Sequence, residues 1–155
     1  MLVNKELYKK SSKTHKIRCE ICANYCKIPD GKFGICRQHK NINGELFDES
    51  FGIVSSLSPD PIEKKPLHHF LPGTLTYSIG GFGCNMTCLH CQNYMISQEY
   101  DKNLKGIEII PEHIVENAIN YNCKSIAWTY NEPTIHLPFN KKTSFLAKSK
   151  GVGNN

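Results

Sequence analysis

With 155 residues, 39% of them hydrophobic and 21% charged, the chain is long enough for one domain with a core of its own. No apolar run approaches the ~20 residues of a membrane helix, and the N-terminus MLVNKELYKKSSKTHK lacks the apolar segment of a secretory signal, so a reducing, cytoplasmic setting is expected. The formal net charge of +5 draws on Lys5, Lys9, Lys10 and Lys13, which mark residues 1–14 as a solvated basic tail; without interleaved aromatics or a helical stripe this is not a nucleic-acid pattern.

Residues 15–73 read as a Cys-rich region of short strands and turns running into a connector. Four of the eight cysteines lie here, as Cys19, Cys22, Cys26 and Cys36. Their spacing, C-x₂-C-x₃-C-x₉-C, fits a closed structural Zn²⁺ site, with a second iron–sulfur cluster as the alternative. Gly31 and Gly34 allow a tight path between the third and fourth. His15 and His39 flank the group and are expected at the solvent. Asn43-Gly44 is a hairpin turn. The segment SPDPIEKKPLHHFLPG, residues 58–73, has four prolines and reads as an extended connector without regular structure. The adjacent His68 and His69 point to opposite faces of an extended chain and read as structural or surface residues.

From residue 74 the pattern alternates. LTYSIG is a buried strand and QNYMIS a short helix. PEHIVENAINYN is a helix, with Pro111 in its first turn and Ile114, Val115, Ala118 and Ile119 on one face. KSIAWTY is a second strand, and KKTSFLAKSKG a helix closing on Gly151. The fold class is therefore α/β, with parallel strands joined by helical crossovers. In such sheets the chemistry sits at the C-terminal strand ends, where Cys84 and Glu132 fall.

The loop after the first of these strands, SIGGFGCNMTCLHCQN, holds Cys84, Cys88 and Cys91 within eight residues. Three thiolates with His90 would close a zinc site, whereas a cubane cluster on three ligands would keep one iron open. Cys123 lies ahead of the second strand, at the far end of the sheet, and reads as a small buried hydrophobe.

C-x₃-C-x₂-C after a strand and a glycine turn resembles the radical S-adenosylmethionine (SAM) superfamily. Together, DPIEKKPLHHFLPG, GCNMTCLHCQN, PEHIVENAI and SIAWTYNEPTI resemble the radical SAM member of the AmmeMemoRadiSam system, which is similar to pyruvate formate-lyase activating enzymes. RCEICANYCKIPDGKFGICRQHKNINGEL matches it as well. The resemblance implies that Cys84, Cys88 and Cys91 hold a [4Fe-4S] cluster. It also implies reductive cleavage of SAM to a 5′-deoxyadenosyl radical that abstracts hydrogen, an oxidoreductase activity in which no side chain need act as acid or base. Site residues carried over are His90 near the adenine, Asn131 and Glu132 near the methionine amino group, and Gly80, Gly81 and Gly83 where backbone approaches the cluster. The implied partners are an electron donor such as flavodoxin or ferredoxin and a protein substrate. A non-catalytic zinc or iron–sulfur binding module is the competing reading.

The resemblance further implies that residues 74–155 are the start of a partial (β/α) barrel. Two strands of it are expected before the chain stops at KSKGVGNN. The expectation is a truncated radical SAM core with an open apolar sheet edge, a weak or inactive catalyst alone.

Overall fold

The computed structural model describes residues 1–11, 14–99 and 106–155; Lys13, counted in the basic tail, lies outside them. The chain is a mixed α/β structure that divides into two compact units. The first comprises Met1–Phe51, Phe82–Leu104 and Asn131–Pro138, and the second Gly52–Gly81, Lys105–Tyr130 and Phe139–Asn155. The three-cysteine loop therefore groups with the Cys-rich N-terminal region, not with the strand that precedes it.

The first unit is built on β1 (Tyr8–Lys10), β2 (Ile17–Cys19) and β3 (Lys27–Ile28), an antiparallel sheet in that order. Alternation along the strands decides its faces. Tyr8, Ile17, Cys19 and Ile28 are buried in a core with Val3, Ile21 and Leu46, while Lys9, Arg18 and Lys27 are exposed. A hairpin of β4 (His39–Ile42) and β5 (Glu45–Asp48) follows. Its turn residues Asn43 and Gly44 have φ of 53° and 77°, the positive values expected for Asn-Gly. Among the described residues its α-helix is α1 (Tyr94–Ser97), beside the 3-10 turns Lys5–Leu7 and Pro133–His136.

Residues 1–10 are not a solvated tail. The Met1 ammonium donates to the Asp48 carbonyl at 2.6 Å, Val3 N donates to Leu46 O at 2.9 Å, and Val3 is 1% exposed. Lysine-rich composition suggested solvation, but Val3 and Tyr8 turn inward.

The second unit contains β6 (Ile53–Val54), β7 (Ser56–Pro61), β8 (Leu75–Gly80), β9 (Ile107–Glu108), α2 (Pro111–Asn120), β10 (Cys123–Trp128), α3 (Leu137–Ser149, its first two residues in the first unit) and β11 (Gly153–Asn154). Its main sheet has the order β11-β10-β8-β7. β8, β10 and β11 are parallel, with α2 between the first pair and α3 between the second, in the expected alternation. Among the described residues three parallel strands are present where two were expected. Ile114, Val115 and Ala118 of α2 are buried, but Ile119 is 49% exposed. α3 starts four residues earlier than expected.

The proline-rich connector is partly regular. Ser58–Pro61 belongs to β7, antiparallel to β8 and at the sheet edge, where a proline lacking its N–H is tolerated. Asp60 of this strand is buried and accepts from Lys64 Nζ, Lys65 Nζ and Ser78 Oγ, each at 2.8 Å, and from Tyr130 Oη at 3.3 Å. Burial works to raise the Asp60 carboxyl, but the hydrogen bonds from Lys64, Lys65 and Ser78 outweigh it and hold it well below the usual carboxylate range.

Deleting residues 1–10 should lower the thermal midpoint by several degrees and speed amide exchange in β2 and β5. It removes two buried side chains worth about 1.5–3 kcal/mol each and one strand of the sheet. A solvated tail would leave both measurements unchanged.

Candidate functional site

The three-cysteine loop begins where β8 ends. Gly81, Phe82 and Gly83 are buried. Gly83 has φ of +74°, and a Cβ placed on it would overlap the Cys36 carbonyl oxygen and the Gln38 amide nitrogen. Only glycine fits, for space and for backbone conformation alike. The close approach joins the loop to the first cysteine group through the backbone of Cys36.

Three side-chain amides then hold successive stretches of loop backbone. Asn131 Nδ2 donates to Gly83 O at 2.7 Å, Asn24 Nδ2 to Asn85 O at 2.9 Å, and Gln98 Nε2 to Met86 O. Gly83 N donates to Ile96 O of α1 at 2.8 Å, and Arg37 Nη1 to Gln98 O at 2.5 Å. Asn24 stands between Cys22 and Cys26, so the first cysteine group grips the second. Beyond Met86 the loop is less tied. Cys84 and Cys91 are half-buried, and Cys88, Leu89 and His90 are exposed. The turn is closed by Cys91 N donating to Cys88 O at 3.3 Å.

All eight cysteines are free thiols, and among the described residues no three His, Cys, Asp or Glu side chains stand close enough to hold a metal ion. The donors at Cys84, Cys88 and Cys91 nonetheless suit an iron–sulfur cluster: three reachable thiols on a loop clamped at its base and free at its tip.

In the first group Cys19 and Cys36 are buried, Cys22 and Cys26 half-buried. Burial pushes the Cys19 thiol up to about 12; the Ile21 backbone offsets part of this, and crowding by Cys36, Cys22 and Cys26 adds to it. Burial likewise raises Cys36, against the pull of the Gln38 and His39 backbone amides. These thiols are neighbours that feel one another without forming a closed ligand set, and the structure gives zinc no support. Cys123 is buried, as expected, though it is the first residue of β10 rather than ahead of it.

His39, expected at the solvent, is 1% exposed. The hairpin alternation turns residues 39, 41, 46 and 48 inward, pairing His39 with Asp48 across the strands. Its Nδ1 lies 3.5 Å from Cys36 Sγ, and burial lowers its pKa to about 4. His15, His68 and His69 are exposed, as expected.

A buried polar line runs from this hairpin to the loop. Ser50 Oγ donates to Asp48 Oδ1 at 2.7 Å and lies 3.1 Å from His136 Nδ1. His136 Nε2 lies 3.2 Å from Asn131 Nδ2, which donates to Gly83 O. Asn131 therefore touches the cysteine loop itself. Asp48, Ser50 and His136 were not singled out from the sequence; the only trace was His136 closing the NEPTIH run. Burial lowers His136 to about 4, against the pull of Asp48 and the Phe82 carbonyl and helped by His39. Glu132 is the N-cap of the 3-10 turn Pro133–His136, its Oε1 accepting from Thr134 N at 3.1 Å and from Thr134 Oγ1.

The family model of the radical SAM superfamily matches residues 78–155, from the middle of β8 through β11. The chain belongs to the radical SAM superfamily, whose chemistry implies a [4Fe-4S] cluster and SAM as cofactors. It is 48% identical over 140 residues to an uncharacterized protein, MJ0808, of Methanocaldococcus jannaschii, a match covering 90% of this chain and 42% of that protein. The chain thus spans less than half the length of this relative. No solved structure matches. Among the described residues no helix is long and apolar enough to cross a membrane.

Gly83→Ala should lower the unfolding free energy by more than ~2 kcal/mol, because positive φ and the Cys36 contact both oppose a side chain; denaturant titration checks this. Acid should weaken the fold between pH 6.5 and about 4. The unfolded chain takes up protons on His39 and His136 near their ordinary value of 6.5, whereas the folded chain does so only near 4. The midpoint of thermal unfolding should fall across that window, and less steeply in His136→Gln.

Proposed function

We propose that this chain carries the cluster- and SAM-binding part of a radical SAM enzyme similar to the activating enzymes of glycyl-radical proteins, on the start of a partial (β/α) barrel formed by β8, α2, β10, α3 and β11. The observation that carries the reading is the clamped loop with Cys84, Cys88 and Cys91, directly after the first parallel strand of a radical SAM chain. When bound, cluster and SAM together supply a one-electron cleavage of a carbon–sulfur bond and a carbon radical that abstracts hydrogen.

The chain's own residues do the holding. Cys84, Cys88 and Cys91 would hold the [4Fe-4S] cluster, to which SAM would bind. His90, exposed beside Cys91, is proposed to contact the adenine. Glu132 accepts from the SAM ammonium as a charge-assisted hydrogen bond. Gly81 and Gly83 carry the backbone past the cluster without side chains. Asn131 keeps the loop base in register through Gly83. An electron donor such as flavodoxin or ferredoxin supplies the electron, and a glycyl residue of a partner protein is the proposed hydrogen source. A second reading, a cluster-binding module without turnover, is favoured by one observation: Glu132 already caps its own turn.

Anaerobic reconstitution should give brown protein with about four irons in this loop. With dithionite it should release 5′-deoxyadenosine from SAM. Cys84→Ala, Cys88→Ala and Cys91→Ala should each lose that iron and its visible absorbance; retention in any one would remove the assignment. Glu132→Ala should keep the iron, weaken SAM binding about tenfold, and cost about 1 kcal/mol of stability through the lost cap. Normal SAM affinity in that variant, with no 5′-deoxyadenosine from the unaltered chain, would favour the binding module.

A further inference from the structure

The outer face of the first unit's sheet carries a charge pattern that the proposed chemistry leaves unused. Lys9 is directly opposite Arg18, and Arg18 directly opposite Lys27, so three cations form one row across β1, β2 and β3. At strand spacing the row is about 10 Å long. Like charges directly opposite one another destabilise a sheet. Relief is partial: Glu20 lies 3.3 Å from Lys9 and 3.7 Å from Arg18, and Glu45 lies 3.2 Å from Lys10. Among the described residues Lys16 and Lys27 make no ion pair. The row borders a depression of about 300 Å³ lined by Lys9, Lys10, Lys16, Arg18 and Lys27 around Ile17, with no carboxylate and no aromatic ring in its described lining.

The row stands at the entry and exit of the segment that carries Cys22 and Cys26: β2 leads into it past Arg18 and β3 leaves it at Lys27, while Cys19 turns to the opposite, buried face. Arg18 also lies over the Tyr25 ring, 4.5 Å from its centre, and the neighbouring Asn24 holds the Asn85 carbonyl of the three-cysteine loop. A partner seated on the row therefore rests against the segment that grips that loop. We propose that this basic face docks an acidic electron-donor protein and guides it to the cysteine end of the unit. The inference rests on the radical SAM reading for the donor's purpose. Single-stranded nucleic acid fits less well, because stacking platforms are missing from the depression and the Tyr25 ring is already covered by Arg18. Electrostatic steering of this kind raises association rates by roughly 10- to 1,000-fold and fades with salt.

The test compares the reconstituted 155-residue chain with the triple variant K9E/R18E/K27E, whose changes all lie on the exposed face; K16E/K27E is a milder second variant. The probe is a reduced acidic flavodoxin. The unaltered chain should bind it, and affinity should fall about tenfold or more between roughly 50 and 300 mM salt. The triple variant should bind at least about tenfold more weakly, with K16E/K27E in between. SAM cleavage driven by flavodoxin should fall in parallel, while cleavage driven by dithionite, which needs no docking, stays unchanged. Equal flavodoxin binding by the unaltered chain and both variants would overturn the proposal, as would displacement of flavodoxin by a short single-stranded RNA that binds more tightly. If dithionite yields no 5′-deoxyadenosine, the catalytic part of the proposed function fails on its own, and the binding measurements still decide the docking face.

Discussion

The first unit turns on one contact, the approach of Gly83 to the backbone of Cys36. No side chain can stand between them. Because of that contact, the loop bearing Cys84, Cys88 and Cys91 begins against the end of the first cysteine group, although 47 residues separate the two in the chain. The remaining loop bonds presuppose it. Asn131 reaches the Gly83 carbonyl and Asn24 the Asn85 carbonyl because the chain has already been brought past Cys36. The two cysteine clusters, separate motifs in the sequence, are one structural assembly.

Holding that assembly from behind is a polar interior that a small unit maintains at a cost. Asp48, Ser50, His39 and His136 are all buried. Among the described residues His39 Nε2 and Asp48 Oδ2 have no protein partner, and a buried unsatisfied group costs about 1–3 kcal/mol. An apolar replacement would pack more cheaply, but it could not carry hydrogen bonds from the β4–β5 hairpin through Asn131 to the loop base. The inward face of the hairpin carries His39, Asn41 and Asp48 together with Leu46, which joins the apolar core around Ile17, so polar and hydrophobic packing share one side of the β4–β5 hairpin.

Much of this was legible in the residues. The β-branched and aromatic run LTYSIG located β8, the run KSIAWTY located β10, the Asn-Gly pair located the hairpin, and Pro111 located the start of α2. The spacing of Cys84, Cys88 and Cys91 pointed to the superfamily that the family model then matched. What sequence reading missed came from long-range pairing. Prolines at 59 and 61 argued against a strand, because nothing local reveals that β7 sits at an edge. The lysines near the N-terminus outweighed Val3 and Tyr8, because nothing local reveals the core those two enter. His39 looked solvated until its hairpin register with Asp48 was known. Glu132 was singled out for a ligand, yet its carboxylate is engaged with its own turn, a bond that Glu-Pro-Thr makes locally and that the resemblance overshadowed.

The two units are interlaced along the chain, each assembled from three separated stretches. This bears on how the protein is made. The first unit needs residues 131–138 and the second needs 105–130 and 139–155, so neither can close until most of the chain has left the ribosome. Contacts across such long sequence separations form slowly. During synthesis β8 waits for β10 with its apolar residues uncovered, and the thiols at positions 19, 22, 26 and 36 wait for the loop that will lie against them. The nascent chain is thus exposed to aggregation and to thiol oxidation together, which makes its survival depend on protection from both as much as on its finished fold.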